Sequence, residues 1–591
     1  MTANIRVMII VVFIAGMAAI PAVLGDFSVT LLNYIGIYTL VALGLVLLTG
    51  CGGLTSFGQA AFVGIGAYST AYLSTSLGWS PWLGLLAALT LTALVALVIG
   101  FITLHLGGHY LPITTIAWGM AIYLLFGNFE FLGRYGGLSN IPPVSLFGYH
   151  FEQMTQTYYL VWCIVGLCLL LATNLLRSRQ GRAIRALRGG IVLAESLGIS
   201  TFQIRLAVFV LAAVLAGLAG WLYAHVQKFV SPAPFDLRAG IEYLLMAVLG
   251  GSGYVSGALI GAAAVALSKD WLQDLMPHVT TNSGNLEIVV FGCLFILLLQ
   301  YSRGGIVPAL LPYLPRVHRP VPLLSAQTNR LPERQMPPIG QPLLQLNGVS
   351  KSFGGLIAVN NVSFAVSAGE LVALIGPNGA GKSTTFNLVT GISPPSAGTI
   401  AFSGHDLTGK SARYAVSAGI SRTFQHVKLR PTMSVLENVK LGTYSRSSAG
   451  LMSGALRLDR SEENSIEASA LFQIDRVGLI EQALALAGNL ALGQQRLVEI
   501  ARALAANPTM LMLDEPAAGL RSREKAALAN LLKTLRQGGM TILLVEHDMD
   551  FVMGLADRIV VLDFGKKLAE GVPNDIRRNA AVQEAYLGGV S

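Results

Sequence analysis

Residues 371–391 read LVALIGPNGAGKSTTFNLVTG, a short apolar run followed by a glycine-rich turn and a second, longer segment. This pattern predicts a buried strand, a tight turn and a helix, and residues 376–383 fill the spacing GxxxxGK[ST]. Glycines in the turn let backbone N–H groups wrap around phosphates, and the start of a helix adds a favourable dipole. We therefore predict that this stretch binds a nucleotide in an α/β domain.

The expected nucleotide contacts fall on both sides of the turn. Lys382 is predicted to reach the β- and γ-phosphates of ATP, and Ser383 to bind Mg²⁺. The other candidates lie in the same loop and first helical turn: Gly376, Asn378, Gly379, Gly381 and Thr384.

A second motif, TMLMLDEP at 509–516, places an acidic pair after four apolar residues. A buried strand that ends in a carboxylate positions Asp514 to hold Mg²⁺ and leaves Glu515 to polarise an attacking water. An acidic pair after a strand is common by itself. Together with the phosphate loop, however, it predicts nucleotide hydrolysis.

The first half of the chain has a different composition. Residues 27–129 contain no Asp, Glu, Lys or Arg, and 53% of the whole chain is hydrophobic. Such a run has room for several membrane spans of about 20 residues each. The predicted spans are a retained first helix within 5–24, then 31–49, 58–77, 83–105, 109–127, 158–176, 206–227 and 286–301, for about eight to ten crossings in all.

The charged residues beside these spans predict the orientation. Arg6 and Asp26 favour a cytoplasmic N-terminus, and RSRQGRAIRALR at 177–188 then falls on the cytoplasmic side. Because the arginines of this half lie in loops beside spans, the net charge of +9 is attributed to membrane topology and not to nucleic acid. The four cysteines lie in or beside apolar spans and give no disulfide framework.

Glycines interrupt two apolar stretches, 50–69 and 241–267, the second at Gly250, Gly251 and Gly253. Broken helices in transporters line cavities or binding sites, because only protein or water can cover their unpaired backbone. The same glycines equally suit close contact between helices. The sequence leaves both interpretations open.

Composition divides the chain into a membrane domain (1–301), a linker (302–342) and a soluble α/β domain (343–591). The linker holds nine of the 24 prolines together with Arg303, Arg316, Arg319, Arg330 and Arg334. This composition predicts an extended segment whose basic residues lie near anionic lipid headgroups.

From about Leu343 to its end the chain resembles the ATP-binding-cassette (ABC) ATPases. The resemblance implies an adenine-stacking role for Phe353 in KSFGG, a Q-loop role for Gln425 in SRTFQ, and a switch role for His547 in LLVEHDM. Catalysis would then rest on Glu515, His547 and Gln425, with Mg²⁺ held by Ser383, Gln425 and Asp514. In NLALGQQRLVEIARAL, the residues Ala491, Gly493 and Gln494 match the signature that contacts ATP on an opposite subunit.

Two departures from the ABC pattern stand out. The signature usually carries Ser and Gly where this chain has Ala491 and Leu492, which weakens or retunes one composite ATP site. Arg521 replaces the usual Asp or Asn in the loop after Glu515, and it is expected to slow communication between sites. Subfamily variation is the alternative explanation for each.

The membrane half resembles the M-type permease of the branched-chain amino-acid uptake family, and the ATPase half its G-type subunit. GGIVLAESLGIS at 189–200 is similar to the coupling loop of importer permeases, a short helix that seats in the ATPase beside the Q-loop. There Leu193 and Leu197 would dock, with Glu195 as a polar contact and Gly198 after it. A plain basic loop held at the headgroups would explain the arginines but not the helix.

The resemblance implies one permease and one ATPase fused as half of an ABC importer, a polytopic α-helical domain followed by an α/β P-loop domain with a helical subdomain. It would lie in a bacterial inner membrane with its ATPase in the cytoplasm. The expected partners are membrane lipid, an external substrate-binding protein and either a second permease and ATPase or a second copy of this chain. Branched-chain or other neutral amino acids are the expected substrates, with urea, short amides or another small solute as alternatives; export is less consistent with the short loops.

Overall fold

A computed structural model describes residues 16–105, 110–279, 304–313 and 329–587, with seven further positions between 290 and 301. The described residues fall into two compact units. The membrane unit takes residues from 1–176 and 202–318, and the ATPase unit takes residues from 177–201 and 319–591. The segment 177–201, which we assigned to the membrane domain from sequence, therefore groups with the ATPase.

Six helices in the described residues are long and apolar enough to cross a membrane. Five of them coincide with spans predicted from the sequence, and the sixth, at 255–275, lies in the predicted glycine-broken stretch 241–267. The predicted span at 58–77 is not among them. The six are Asp26–Cys51, Pro81–Leu104, Tyr110–Asn128, Met154–Arg177, Thr201–Gln227 and Val255–Leu275. Most of the predicted first and last spans lies outside the described residues, so the total of eight to ten crossings stays a prediction.

The predicted span at 58–77 forms the helix Gln59–Ser76, here called the central helix, which is not among those six apolar helices. Thirteen of its residues are buried. Its backbone lies so close to Thr201–Gln227 that a Cβ on Gly66 would collide with the carbonyl of Gly217. Small residues permit this approach, as is usual between membrane helices.

Both glycine-rich stretches break their helices. Helix Asp26–Leu45 continues as a π-helix, Val46–Cys51, and residues 52–58 are then non-helical. The second break separates helix Leu237–Gly251 from helix Val255–Val279. The two breaks touch, since a Cβ on Gly50 would lie against the backbone of Ser252 and Gly253. Both interpretations of the glycines therefore hold, since they break the helices and also allow close contact between them.

Short elements complete the membrane unit. Strand Leu138–Ser139 pairs with Phe229–Val230, and Ser145–Leu146 pairs with Tyr149–His150. A short helix, Ile306–Leu310, packs near the second break, where a Cβ on Gly251 would meet Pro308.

The ATPase unit is built on a six-stranded sheet, parallel except at one edge, with the phosphate-loop strand inside it. Its strands, in spatial order, are Ile420–Arg422, Met510–Asp514, Thr541–Val545, Leu371–Ile375, Arg558–Asp563 and Lys566–Gly571. A four-stranded antiparallel sheet has the order Leu356–Ser367, Pro342–Phe353, Ala397–Phe402 and His405–Asp406. The predicted α/β P-loop fold is confirmed.

Helices flank these sheets and form a subdomain of their own. Val435–Gly442, Arg460–Arg476 and Leu492–Ala505 share a core that includes Val435, Ile474 and Val498. The remaining helices are Arg179–Leu187, Ile191–Glu195, Lys382–Val389, Ala412–Ala418, Leu451–Ala455, Ser522–Gln537, Met549–Met553, Pro573–Arg578 and Ala580–Leu587. The subdomain formed by Val435–Gly442, Arg460–Arg476 and Leu492–Ala505 carries both the signature residues and most of the surface that binds segment 177–201.

Candidate nucleotide site and coupling segment

The phosphate loop follows a fully buried strand, Leu371–Ile375, and leads into helix Lys382–Val389. Gly381 lies just before the helix with a φ of +93°, and a Cβ there would collide with the carbonyl of Ala358. Gly376 is equally confined, because its Cβ would meet the carbonyl of Leu562. Only glycine fits at these two positions, and the loop can therefore present its N–H groups to phosphate.

Lys382 curls back over the loop. Its Nζ donates to the carbonyl oxygens of Gly376 at 2.8 Å and Pro377 at 2.9 Å. Burial lowers the pKa of Lys382, although the Glu515 and Asp514 carboxylates oppose the shift. Asn378, Gly379 and Ser383 are exposed around it, and Thr384 is half-buried. The structure thus holds a buried ammonium group beside hydroxyl and N–H donors that a nucleotide can reach.

Asp514 ends the buried strand Met510–Asp514, as the sequence predicted. Burial raises the pKa of its carboxyl, while the Arg422 guanidinium at 3.5 Å opposes that shift. Its Oδ1 is buried and has no hydrogen-bond partner among the described residues. A spare carboxylate oxygen and the exposed Ser383 hydroxyl are hard oxygen donors, which suit Mg²⁺.

The three residues assigned to catalysis lie together. Gln425 Nε2 donates to Glu515 Oε2 at 3.0 Å, and His547 Nδ1 lies 3.8 Å from the same oxygen. Glu515 has a φ of +46°, an unusual backbone conformation for a residue with a side chain, and such outliers cluster at functional sites. The His547 side chain is 58% exposed, so its ring is open to a ligand.

Two buried residues that support this cluster were missed from the sequence. Glu546 is fully buried and accepts hydrogen bonds from the backbone N–H groups of Ala517 at 2.7 Å and His547 at 3.0 Å. It therefore fixes the loop after Glu515 to the switch histidine. The position of Glu546, immediately before His547 at the end of a strand, was the available signal.

Arg422 is the other missed residue. Its guanidinium lies over the rings of Phe386 and Phe424, and burial lowers its pKa to about 10. It donates to Asn387 Oδ1 and Thr390 Oγ1, both at 2.9 Å. It lies in the SRTFQ stretch quoted for Gln425, but its own role was not visible there, because its partners come from other parts of the chain.

Phe353 ends strand Pro342–Phe353 and is 52% exposed. A ring this exposed is not part of the domain core. Lys351 Nζ lies 5.0 Å from the centre of its ring. An exposed ring beside a cation can stack on a nucleotide base.

The signature residues sit at the start of helix Leu492–Ala505, here called the signature helix. Gln494 accepts a hydrogen bond from the N–H of Ala491 at 3.3 Å, and Ala491 and Leu492 are exposed. Among the described residues no hydrogen bond joins them to the phosphate loop of the same chain. Ala491 and Leu492 are therefore accessible to a second molecule, whereas Gly493 is buried. The contact of the signature with ATP on an opposite subunit stays a prediction.

The signature helix also clamps the Q-loop backbone. Arg496 donates to the carbonyls of Phe424 at 2.7 Å and Gln425, and Glu499 accepts from the N–H of Lys428 at 3.1 Å. Arg502 donates to the carbonyl of Lys428 at 2.6 Å and to Glu499 at 3.1 Å. The helix that starts with the signature is therefore tied to the loop that contains Gln425.

Three arginines of 177–188 contact protein, which argues against the alternative of a plain basic loop held at the headgroups. In helix Arg179–Leu187, here called the anchor helix, Arg182 is 3% exposed and forms a bidentate pair with Glu463 at 2.7 and 2.8 Å. Arg185 pairs with Glu437 at 2.9 Å, and Arg179 lies over the ring of Tyr444 and donates to its carbonyl at 2.9 Å. Burial would raise the pKa of Glu437, but Arg185 and the Ser434 N–H outweigh it and leave that pKa lowered.

The predicted coupling helix is Ile191–Glu195, and its apolar side is buried as expected. Leu193 is 1% and Leu197 is 7% exposed, and a Cβ on Gly198 would lie against Ser445 of the ATPase. Glu195 differs from the expectation, because it accepts a hydrogen bond from Thr201 Oγ1 at 2.9 Å within its own segment. The polar contact with the ATPase comes instead from Ser200, which accepts from Arg413 at 3.1 Å.

Gly189 and Gly190 both have structural reasons to be glycine. Gly190 has φ +104° and ψ 154° and precedes the coupling helix directly, a conformation that other residues hardly adopt. A Cβ on Gly189 would press on Leu193 and approach Arg430, five residues after Gln425. The turn therefore brings the coupling helix close to the segment that follows the Q-loop.

The described part of the linker also contacts the ATPase unit. The Leu331 N–H donates to Ser469 Oγ at 2.9 Å, and Arg446 donates to the carbonyls of Leu331 at 3.0 Å and Pro332 at 2.8 Å. Arg330 lies over the ring of Phe472, and Arg334 donates to the carbonyl of Ser417 at 2.8 Å. For these two arginines the expected position at the headgroups is wrong.

A cavity of about 700 Å³ in the membrane unit lies among the central helix, Pro81–Leu104 and Tyr110–Asn128. Its walls are almost entirely apolar and include Leu94, Val98 and Trp118. Such a surface suits lipid chains and offers nothing to a charged group.

Comparisons with known proteins agree with this geometry. The family model described as the branched-chain amino acid transport system permease component matches residues 27–299. The ABC transporter model matches 359–518, and the branched-chain amino acid ATP-binding cassette transporter model matches 566–590.

Individual relatives cover the ATPase half. The high-affinity branched-chain amino acid transport ATP-binding protein LivG of Salmonella typhimurium is 46% identical over 254 residues, which are 42% of this chain and 99% of LivG. BraF of Pseudomonas aeruginosa is 41% identical over the same shares. A solved nucleotide-free ATP-binding cassette from an ABC transporter is 31% identical, covers 42% of this chain and 100% of its own, and has a TM-score of 0.38.

A unit of apolar helices that could span a membrane, joined in one chain to a P-loop ATPase with these motifs, defines an ABC transporter. It is a membrane-associated protein that binds nucleotide and couples ATP hydrolysis to transport. The chain belongs to the branched-chain amino acid ABC transport family, with permease and ATPase in a single polypeptide.

Proposed function

We propose that this chain is half of an importer that uses ATP to carry branched-chain or other neutral amino acids into a bacterial cell. The membrane unit would lie in the inner membrane and the ATPase unit in the cytoplasm. The names of LivG and BraF, both branched-chain amino acid transport proteins, support this substrate class. A membrane half without charges at 27–129 suits a solute of low net charge, such as a zwitterion.

The observation that carries the proposal is the seating of segment 177–201 in the ATPase unit. The segment joins Met154–Arg177 to Thr201–Gln227, two apolar helices long enough to span a membrane. Its anchor helix is held by the buried Arg182–Glu463 pair, and its coupling helix by Leu193 and Leu197. A movement of the helical subdomain would therefore be passed to segment 177–201 through these ion pairs, and the chain continues from that segment into the membrane helices.

At the nucleotide site, Lys382 and the loop N–H groups would hold the phosphates of ATP, and Phe353 would stack on the adenine. Asp514, Ser383 and Gln425 would hold Mg²⁺, which neutralises charge on the β- and γ-phosphates when it is bound. Glu515 would orient the attacking water, with His547 beside it at 3.8 Å. Gln425 would connect this chemistry to the segment that contacts the coupling helix.

The full machine would contain two permeases and two ATPases, with a substrate-binding protein on the outside. Ala491, Gly493 and Gln494, at the start of the signature helix, would then face the nucleotide of the opposite ATPase. That ATPase belongs either to a different subunit or to a second copy of this chain.

The test uses the full chain in lipid nanodiscs, beside Glu515→Gln. We expect ATP hydrolysis that the substitution lowers at least 100-fold, while nucleotide binding is kept, because the variant removes only the group that orients water. Mass photometry of the same samples reports whether active particles contain one chain or two.

Uptake of radiolabelled leucine and urea is measured in cells that express the chain together with its binding protein. We expect leucine uptake that Glu515→Gln abolishes. Urea uptake in place of leucine uptake, or leucine export, would contradict the proposed substrate or direction.

A further inference from the structure

The central helix begins inside the membrane unit, and nothing in its own sequence caps its first turn. Gly58, the residue before it, has no side chain to accept from the exposed backbone donors. The helix start is enclosed by other helices, since a Cβ on Gly58 would meet Thr115 and Phe62 packs edge-on against Phe209. The N-terminus of the central helix is therefore enclosed by protein, and among the described residues no side chain caps it.

Two polar side chains at this start are fully buried and unpaired. Ser56 Oγ and both polar atoms of Gln59 have no hydrogen-bond partner in the described structure, and both residues are 0% exposed. Gln59 is the first residue of the central helix and Ser56 lies three residues before it in the unwound segment, so both belong to the same helix end. Side chains in a helix lean toward its N-terminus, which favours an amide of Gln59 directed to this end.

The backbone between these two residues does have a hydrogen-bond partner, so only their side chains are unpaired. The N–H of Phe57, between the two residues, donates to Thr115 Oγ1 at 3.2 Å. Because unpaired buried polar groups are costly, those that persist in a native protein commonly mark a place where a ligand or water binds. The N-terminal end of a helix carries the positive end of its dipole, which favours an anion there, and the stretch 27–129 that contains this helix has no charged side chain of its own.

We propose that Ser56, Gln59 and the first-turn N–H groups of the central helix hold the carboxylate of an amino acid in transit through the permease. This rests on the proposed function, amino-acid import. Aromatic rings lie beside the site, and Phe62, Trp118 and Phe209 line a void of about 10 Å³ next to Gly58. This void has room for about one water. The site is thus closed in this conformation, and the rings offer an apolar wall to a branched side chain once the site opens.

The test is the reactivity of Ser56→Cys in a full-length chain whose four native cysteines are replaced by serine or alanine. During ATP turnover, the anionic reagent sulfonatoethyl methanethiosulfonate should modify residue 56 at least fivefold faster than the cationic trimethylammonium reagent. Leucine should slow the reaction, whereas isoamylamine, which lacks the carboxylate, should not. Thr39→Cys is the control, because Thr39 is also 0% exposed but its hydroxyl is paired with the carbonyl of Ile35 at 2.7 Å.

A second variant makes the result independent of how well Ser56→Cys folds. Gln59→Cys should show the same anion preference, and Gln59→Glu combined with Ser56→Cys should reverse it by placing a negative charge at the site. No modification in any state, no preference for the anionic reagent, or equal protection by isoamylamine would overturn the carboxylate site. Failure of the proposed function shows separately, as absent leucine uptake by the unaltered chain.

Discussion

The departures from the ABC pattern lie at one junction of the ATPase unit. Leu492 packs on Gly519, and the carboxylate of Glu524 lies against Gly493 while it accepts from the N–H of Arg521 at 2.9 Å. The start of the signature helix and the loop after Glu515 thus touch within one chain. A substitution in either part therefore alters the packing of the other, and Leu492 and Arg521 belong to the same contact region.

Arg521 is also the N-cap of helix Ser522–Gln537, where its side chain is exposed and accepts nothing from the first turn. Arg521→Ser would complete a capping box with Glu524, a change worth about 1 kcal/mol. We expect the ATPase unit to melt about 2–3 °C higher by scanning fluorimetry. Arg521→Ala removes the same charge without adding an acceptor and should give no gain. Equal melting temperatures for Ser and Ala would contradict the capping argument.

Among the elements, the anchor helix differs most from its sequence-based interpretation. Three arginines at every third position are a common feature of cytoplasmic loops, and nothing nearby in the sequence names a partner. Their carboxylates, Glu437 and Glu463, follow more than 250 residues later in the chain. Pairs at that separation depend on tertiary structure, whereas the phosphate loop is read from contiguous residues.

The Arg182–Glu463 pair should decide whether the anchor helix stays seated. Breaking a buried pair from one side costs about 3–5 kcal/mol, so Arg182→Met should expose the segment to trypsin at Arg185 and Arg188 about 100-fold faster. Arg182→Met combined with Glu463→Leu should recover at least part of the protection, because no buried charge is left alone. Arg134→Gln, which breaks the exposed Arg134–Glu130 pair, is the control and should leave the rate unchanged. A slow rate in the single Arg182 variant would show that the pair contributes little.

Gly190 tests the turn between the two short helices. Its φ of +104° with ψ 154° is accessible almost only to glycine, so Gly190→Ala should strain the turn by about 1–3 kcal/mol. We expect leucine uptake in cells to fall at least fivefold while ATP hydrolysis in nanodiscs persists, since the nucleotide site is untouched. Gly355→Ala is the matched control, because no atom lies within 4 Å of a Cβ there. Normal uptake by the Gly190 variant would mean that the turn tolerates a side chain.

At the scale of the whole molecule, the sequence predicted the fold class, the family and the ATP-driven transport, and these are confirmed. The hydrophobic runs and the spaced motifs are local patterns, and they can be recognised without knowing which residues are in contact. The contacts of Arg422 and of the anchor helix were missed because they depend on residues brought from elsewhere in the chain. Glu546 had a local signal, its place just before His547, which was overlooked. A single boundary at 301 also left segment 177–201 in the membrane domain. In the structure the chain leaves the membrane unit at 177, contributes this segment to the ATPase unit and returns at 202.

The seating of 177–201 in the ATPase unit leads to a prediction about the intact chain. A protease site inserted after Pro322, in the linker, would leave two fragments with no covalent connection. We expect the C-terminal fragment to co-elute with the tagged N-terminal fragment in size-exclusion chromatography in detergent, because 177–201 belongs to the first fragment and is held by the second.

The ion pairs of the anchor helix decide this result. In a chain that also carries Arg182→Glu and Arg185→Glu, like charges would face Glu463 and Glu437, and the fragments should separate. Arg134→Glu adds the same kind of reversal at an exposed pair and should not release the ATPase. Separation of the unaltered fragments would mean that the linker, and not the anchor helix, keeps permease and ATPase together.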